Sequence, residues 1–127
     1  MSFKVFEQSQ PYGNVVLNKS FDFSVRIVKL FQHLKRRDSS IESLLKQVLR
    51  SGTSIGANIT EAQGASSKKD FINKLQISLK EARETEYWLR LLNATGYLKQ
   101  NEYDGIDPDC KEIIKLLVSI LKKSKNK

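Results

Sequence analysis

Side chains suited to covalent, metal or acid–base chemistry are scarce in this sequence. It has one histidine, His33, and one cysteine, Cys110. A zinc site needs three or four nitrogen, sulfur or carboxylate ligands. A lone imidazole and a lone thiol do not build one. His33 is expected at the surface, answering the negative end of its helix, and Cys110 as a small core residue. The acidic run Asp104, Asp107 and Asp109 lacks the alternate-position ligands and closing glutamate of a calcium loop; it reads as acidic residues at a helix N-terminus. Gly52 and Gly56 have the spacing of a membrane-dimer motif, but Arg50, Asn58 and Glu61 beside them argue against a lipid setting. The sequence contains no Walker loop, dinucleotide fingerprint or zinc spacing. Neither an enzyme nor a cofactor or metal is expected.

Charge recognition has ample material: 22 Lys and Arg against 14 Asp and Glu leave a formal charge of +8 on 127 residues. Two polar lines also stand out. Ser51, Ser54, Asn58 and Glu61 fall at i, i+3, i+7 and i+10, and Lys80, Arg83, Tyr87 and Arg90 repeat that spacing, with Glu84 and Glu86 adjoining. One reading makes both lines a solvated surface laced with i,i+4 pairs such as Lys80 with Glu84 and Glu86 with Arg90. The other makes them a subunit interface, because Ile77, Trp88 and Leu91 add apolar surface away from the main stripe of the same helix.

The elements that must position these residues are helices. Six Gly and two Pro are too few for a sandwich or barrel of many short strands. Helix 1, about 18–37, carries Phe21, Val25, Val28, Leu30, Phe31 and Leu34 at three- and four-residue steps. Ser39 and Glu42 have capping-box spacing. Helix 2, about 40–63, has the seam Ile41, Leu45, Val48, Gly52, Ile55, Ile59 and Ala62 in alternating steps of four and three. A break at Ser51–Ser54 is the alternative reading.

Ser67 and Asp70 give a second cap signal for helix 3, about 67–95, with seam Phe71, Leu75, Ser78, Ala82, Thr85, Leu89 and Leu92 and Gly96 at its C-cap. Helices 2 and 3, joined by a short turn, are antiparallel neighbours. Folding the chain there sets Gly52 level with Ala82 and Gly56 level with Ser78, which predicts a close helix 2–helix 3 contact. Helix 4, about 101–123, carries Cys110, Ile113, Ile114, Leu117, Ile120 and Leu121. Pro108 either lies within it or starts it after an Asp107 cap. Residues 1–14 read as an arm, 15–123 as the helical domain and 124–127 as a frayed basic tail. The predicted fold is all-α, an up-down-up-down four-helix bundle.

That topology turns net charge into a location. The start of helix 1, end of helix 2, start of helix 3 and the C-terminus share one end, where basic residues exceed acidic ones by five; the opposite end is near neutral. Lys68, Lys69, Lys74, Lys122 and Lys123 are the candidate phosphate-binding residues, since neutralising phosphates releases counterions and gives salt-dependent, largely sequence-independent affinity. Solubility is the alternative use of the same charge. One Cys suits a reducing compartment. The first residues lack the apolar core of a secretory signal, and no stretch reaches the roughly 20 apolar residues of a membrane span. The cytoplasm is the expected location, with no membrane partner.

Three runs carry a family likeness: SIGANI-x-EAQ (Ser54 to Gln63), SKKDFI-x-KL (Ser67 to Leu75) and KEARETEYWLRLL (Lys80 to Leu92), followed by Gly96-Tyr97-Leu98. With KSFDFSVRIVKLFQHL in helix 1, they make the chain after its arm resemble the four-helix-bundle proteins encoded by intervening sequences in bacterial 23S rRNA genes. Thr60 stands where alanine is common in that family, and Ala62 where some branches have glycine. The family is similar in turn to the accessory variability protein of diversity-generating retroelements. The resemblance implies a ring-shaped homo-oligomer, a homopentamer, with a basic surface for nucleic acid (RNA or DNA) and a protein partner. It also gives Asn58, Glu61, Arg83 and Tyr87 a role in subunit contact or in fixing helix register; with Glu84 and the apolar Ile77, Trp88 and Leu91 they make up the candidate interface residues.

Overall fold

The computed structural model describes residues 11–125. Those residues form four helices and no strand: α1 (Pro11–Arg37), α2 (Glu42–Gln63), α3 (Lys68–Ala94) and α4 (Gln100–Lys125), with a 3-10 turn at Ser39–Ile41. Each helix packs on two others, α1 on α2, α2 on α3, α3 on α4 and α4 on α1; α1 and α3 stand diagonally across the bundle. This is the up-down-up-down arrangement that short connections impose.

Three seams follow the spacing rule. Leu45, Val48, Ile55, Ile59 and Ala62 of α2, Phe71, Leu75, Ala82, Leu89 and Leu92 of α3, and Cys110, Ile113, Leu117, Ile120 and Leu121 of α4 are all buried. Each fully buried Val, Leu, Ile or Phe among them contributes roughly 1.5–3 kcal/mol. α2 is continuous across Ser51–Ser54.

α1 departs from its expected face. Phe21, Val25 and Val28 point outward, Phe21 with 68% of its surface exposed, while Val16, Phe23, Ile27 and Leu34 are buried and Leu30 and Phe31 pack against the core. Both sets recur at three- and four-residue steps, on nearly opposite sides of the helix, so periodicity alone cannot choose between them. The helix also begins earlier than the spacing suggests, at Pro11. Proline is tolerated in a first helical turn, where its missing N–H has no partner to lose. Of the expected arm, residues 11–14 are helical and 1–10 lie outside the described residues. At the other terminus α4 runs through Lys125 with Ser124 buried; 126–127 lie outside the described residues.

The glycines of α2 face α1, not α3. A Cβ on Gly52 would stand 2.9 Å from Ile27 Cγ2, and one on Gly56 would stand 3.2 Å from the Ser20 carbonyl oxygen. The α2–α3 contact is made by other small residues: Ser78 Oγ donates to the Ile55 carbonyl at 2.8 Å, and Thr85 Oγ1 to Ser51 Oγ at 2.8 Å. Levelling residues by counting from a turn fixes their height but not their rotation about the helix axis. That is why the expected Gly52–Ala82 and Gly56–Ser78 pairs do not form.

The ends of the helices are set locally. Asp38, rather than a Ser39–Glu42 box, caps the first turn, its Oδ1 accepting from Ser40 N at 2.9 Å. Ser67 Oγ accepts from Asp70 N at 3.1 Å, as the second cap signal requires. After α3, Gly96 takes φ +86°, a conformation that glycine reaches without a Cβ clash. Pro108 lies inside α4, where proline cannot donate to the carbonyl four residues back. One turn of the helix around it is buttressed from α1: Arg26 Nη2 donates to the Gly105 carbonyl at 2.7 Å, and the same guanidinium pairs with Asp109.

Candidate nucleic-acid interface

Antiparallel packing brings the start of α3 and the last turn of α4 to one end. Lys68 and Lys69 open α3, and Lys122, Lys123 and Lys125 close α4, all exposed. Lysines in a last turn complement the negative helix end, but lysines in a first turn sit against the positive one. Lys68 and Lys69 therefore cost α3 some stability. That turn also points its free N–H groups outward, adding to the positive field of the end. Among the ion pairs near these lysines, Lys74 meets Glu61 at 3.2 Å, and on α1 Lys19 meets Glu112 at 3.0 Å.

The Lys19 pair belongs to a ladder along the α1–α4 seam. Lys19 meets Glu112, Arg26 meets Asp109, and Arg37 and His33 both meet Glu102. Lys19, Arg26 and His33 are seven residues apart, the spacing of charges flanking a helix–helix seam; that repeat was the signal in the sequence that spacing of apolar residues alone overlooks. His33 Nε2 lies 3.1 Å from Glu102 Oε2 and 2.8 Å from Arg37 Nη2. Beyond its place at a helix C-terminus, His33 thus forms part of a three-residue cluster. The Arg37 bonds hold the Glu102 carboxyl at about 2, well below the ordinary carboxylate value.

The residues expected at a subunit interface separate into two sides of α3. Towards α2, Arg50 bonds Glu81 at 3.1 Å and pairs with Glu84, and Glu84 Oε2 accepts from the Trp88 indole N–H at 3.0 Å. The indole bond, then Arg50, lowers the Glu84 pKa. Ile77 is exposed on this side; Trp88 and Leu91 are half-buried, and Trp88 packs on the core. Asn58 is spent on its own helix, donating to the Ser54 carbonyl at 2.8 Å. Ser51, expected beside Asn58 on a polar surface line, is fully buried.

Towards α4, Arg83, Glu86, Tyr87 and Arg90 line a cleft of about 300 Å³ together with Tyr103 and Lys111. Here the expected Glu86–Arg90 pair is replaced by a cross-helix one: Lys111 Nζ lies 3.2 Å from Glu86 Oε2 and also pairs with Asp107. The Asp107 bond, opposed by desolvation and aided by Glu86, raises the Lys111 pKa. Asp107 is buried and its Oδ1 accepts no hydrogen bond. Beneath it, burial pushes the Cys110 thiol up to about 12, and Cys110 Sγ donates to the Ala82 carbonyl at 3.3 Å.

Among the described residues no three His, Cys, Asp or Glu side chains are grouped to hold a metal ion, and no helix is long and apolar enough to cross a membrane. No curated protein matches this chain. Among solved structures, a crystal structure from Bacteroides thetaiotaomicron VPI-5482, described as a protein of unknown function from the S23 ribosomal protein family, is 55% identical with a TM-score of 0.82; the match covers 87% of this chain and 98% of that one. Residues 13–119 match the family model described as 23S rRNA-intervening sequence protein, and with nearly the whole helical domain inside that match, the chain belongs to this family.

Proposed function

We propose that this chain is a non-enzymatic, oligomeric four-helix bundle that binds the phosphates of RNA or DNA through the lysines at one end, Lys68, Lys69, Lys122 and Lys123, with Lys74 joining when its Glu61 partner yields. The observation that carries the reading is the placement of Lys68 and Lys69 on the first turn of α3, against the preference of the helix dipole. A phosphate there meets both the lysines and the outward N–H groups.

The homopentamer that the family resemblance implies would repeat the basic end, so that avidity rises without new contacts. The exposed stripes agree with such a ring. Phe21, Val25 and Val28 on α1 and Ile77 on α3 lie on diagonally opposed helices; two different faces aimed in different directions join copies head to tail, and head-to-tail contacts close into rings when the rotation allows. Asn58, Glu61, Glu84, Trp88 and Leu91 flank Ile77 on the α2 side and belong to that contact. The alternative is a protein-interaction scaffold in the cytoplasm with no nucleic-acid role.

Mobility shift of structured RNA and duplex DNA at low salt tests the reading, with light scattering for the subunit number. Binding is expected to fall log-linearly with salt and to vanish in K68E/K69E/K122E/K123E. Absence of a shift, salt-indifferent affinity, or full binding by the charge-reversed protein overturns it in favour of the scaffold.

A further inference from the structure

The cleft between α3 and α4 is not part of the lysine end, and its chemistry differs. We propose that it binds one nucleotide unit, with the phosphate held by Arg83 and Arg90 and the base laid against Tyr87 and Tyr103.

The first argument is how the acidic side chains of α3 are used. Glu81 and Glu84 turn to Arg50 on α2, and Glu86 turns to Lys111 on α4. Arg83 and Arg90 are thereby left without an acidic partner among the described residues. Both line the same cleft. Lys111 is committed to Asp107 and Glu86, so the floor holds one cation against two carboxylates and the positive charge open to a ligand stands at the two guanidinium groups. A guanidinium matches phosphate oxygens in a planar, two-pronged geometry that a lysine cannot offer.

The second argument is the aromatic lining. Tyr87 lies between the arginines in sequence, four residues after Arg83 and three before Arg90, and half its surface is exposed. Its ring is held edge-on by Trp88 at a centroid distance of 5.1 Å. Tyr103 faces the cleft from α4. Arg83 and Arg90 are about 10 Å apart along the helix axis, which places a cation on each side of an aromatic ring. A bare inorganic anion has no use for the two tyrosines. A nucleotide uses both parts, since any base offers a π face for stacking. Glu86, also in the lining, supplies an acceptor for the N–H groups at a base edge. The volume, about 300 Å³, is at the lower bound for small-ligand pockets and suits one nucleotide unit.

The unit has two sources, a free nucleotide or one residue of a single strand. Trp88 is the chain's one tryptophan and touches Tyr87, so its emission reports on this cleft. The full chain is titrated with AMP and, separately, with a ten-nucleotide adenosine RNA, following Trp88 emission and heat. The expected result is a saturable change, weakened at least about tenfold in R83Q/R90Q and in Y87A, retained in Y87F, and unaffected by K29Q, a charge removed elsewhere on α1. Response to AMP identifies a free nucleotide, and response to the RNA with AMP silent identifies a strand. All variant sites are exposed, and a matched urea midpoint verifies folding.

The proposal is overturned if neither probe changes emission or heat, or if R83Q/R90Q and Y87A bind like wild type. It is also overturned if those variants alter only the oligomeric state, which would make the cleft a contact between copies. Duplex binding by the lysine end is measured separately, so either site can fail without the other.

Discussion

Arg37 grips Glu102 through two bonds, Nη1 to Oε1 at 2.9 Å and Nη2 to Oε2 at 2.6 Å, joining the last turn of α1 to the first turn of α4. Glu102 Oε1 also accepts from Lys99 N at 2.8 Å, so one carboxylate caps α4 and clasps α1. Because the bonds favour the charged form, the folded-state pKa falls to about 2. A depressed carboxylate contributes stability that is fully present above its unfolded value and is lost as pH falls through the folded one. E102Q is expected to lower Tm at pH 7. The gap to wild type should narrow as pH drops below 4.5 and close near 2. A pH-independent gap would show that the clasp acts through packing rather than charge.

Gly52 is required by Ile27. Gly52→Ala gains about 1 kcal/mol of helix propensity, but the new methyl would stand 2.9 Å from Ile27 Cγ2, a fully buried group, and overpacking costs about 1–3 kcal/mol. Net destabilisation is expected by urea denaturation. I27A vacates that space, so G52A/I27A should lose less than the two single changes together.

Two phenylalanines two positions apart should behave oppositely. Phe23 is buried in the core and Phe21 stands in solvent. F23A should cost about 3–5 kcal/mol, and F21S should stay within about 0.5 kcal/mol at dilute concentration. Equal costs in the two variants would put the α1 face back where the spacing alone placed it.

Burial raises the Cys110 thiol to about 12, so almost no thiolate exists at pH 8, and the nucleophile is the thiolate. Alkylation by iodoacetamide is expected to be negligible in the folded protein and complete in urea, with a native-state rate that tracks global unfolding. Rapid labelling of the native protein, followed by mass spectrometry, would contradict this.

The parts of the fold that the sequence predicts are those governed by one stripe per helix. α2, α3 and α4 each have a single three-four seam, so Ile55, Leu75 and Leu117 could be placed inside from spacing. α1 has two, and only the packed partner separates Phe23 from Phe21. The single seam of α2 shows which face turns inward but not which flanking helix each seam residue meets, and that sent Gly52 and Gly56 to the wrong neighbour. The lysines at the basic end could be placed from topology, because position along a helix is enough to assign an end. The cleft could not. The i,i+4 rule pairs Glu86 with Arg90, and only a cross-helix lysine 25 positions away, Lys111, draws Glu86 off and leaves Arg90 exposed without that partner.

The ionic ladder between α1 and α4 also bears on how the chain folds. The other three interfaces join helices that are consecutive in the chain, and their contacts can form across short loops. The α1–α4 interface joins the first helix to the last and closes a loop spanning most of the molecule, so it carries the largest loop-closure entropy and contributes the longest sequence separations to the contact order. Lys19, Arg26 and Arg37 reward that closure with partially exposed ion pairs, which added salt screens. Ionic strength is therefore a lever on the interface with the largest closure cost, and it acts there apart from the apolar core.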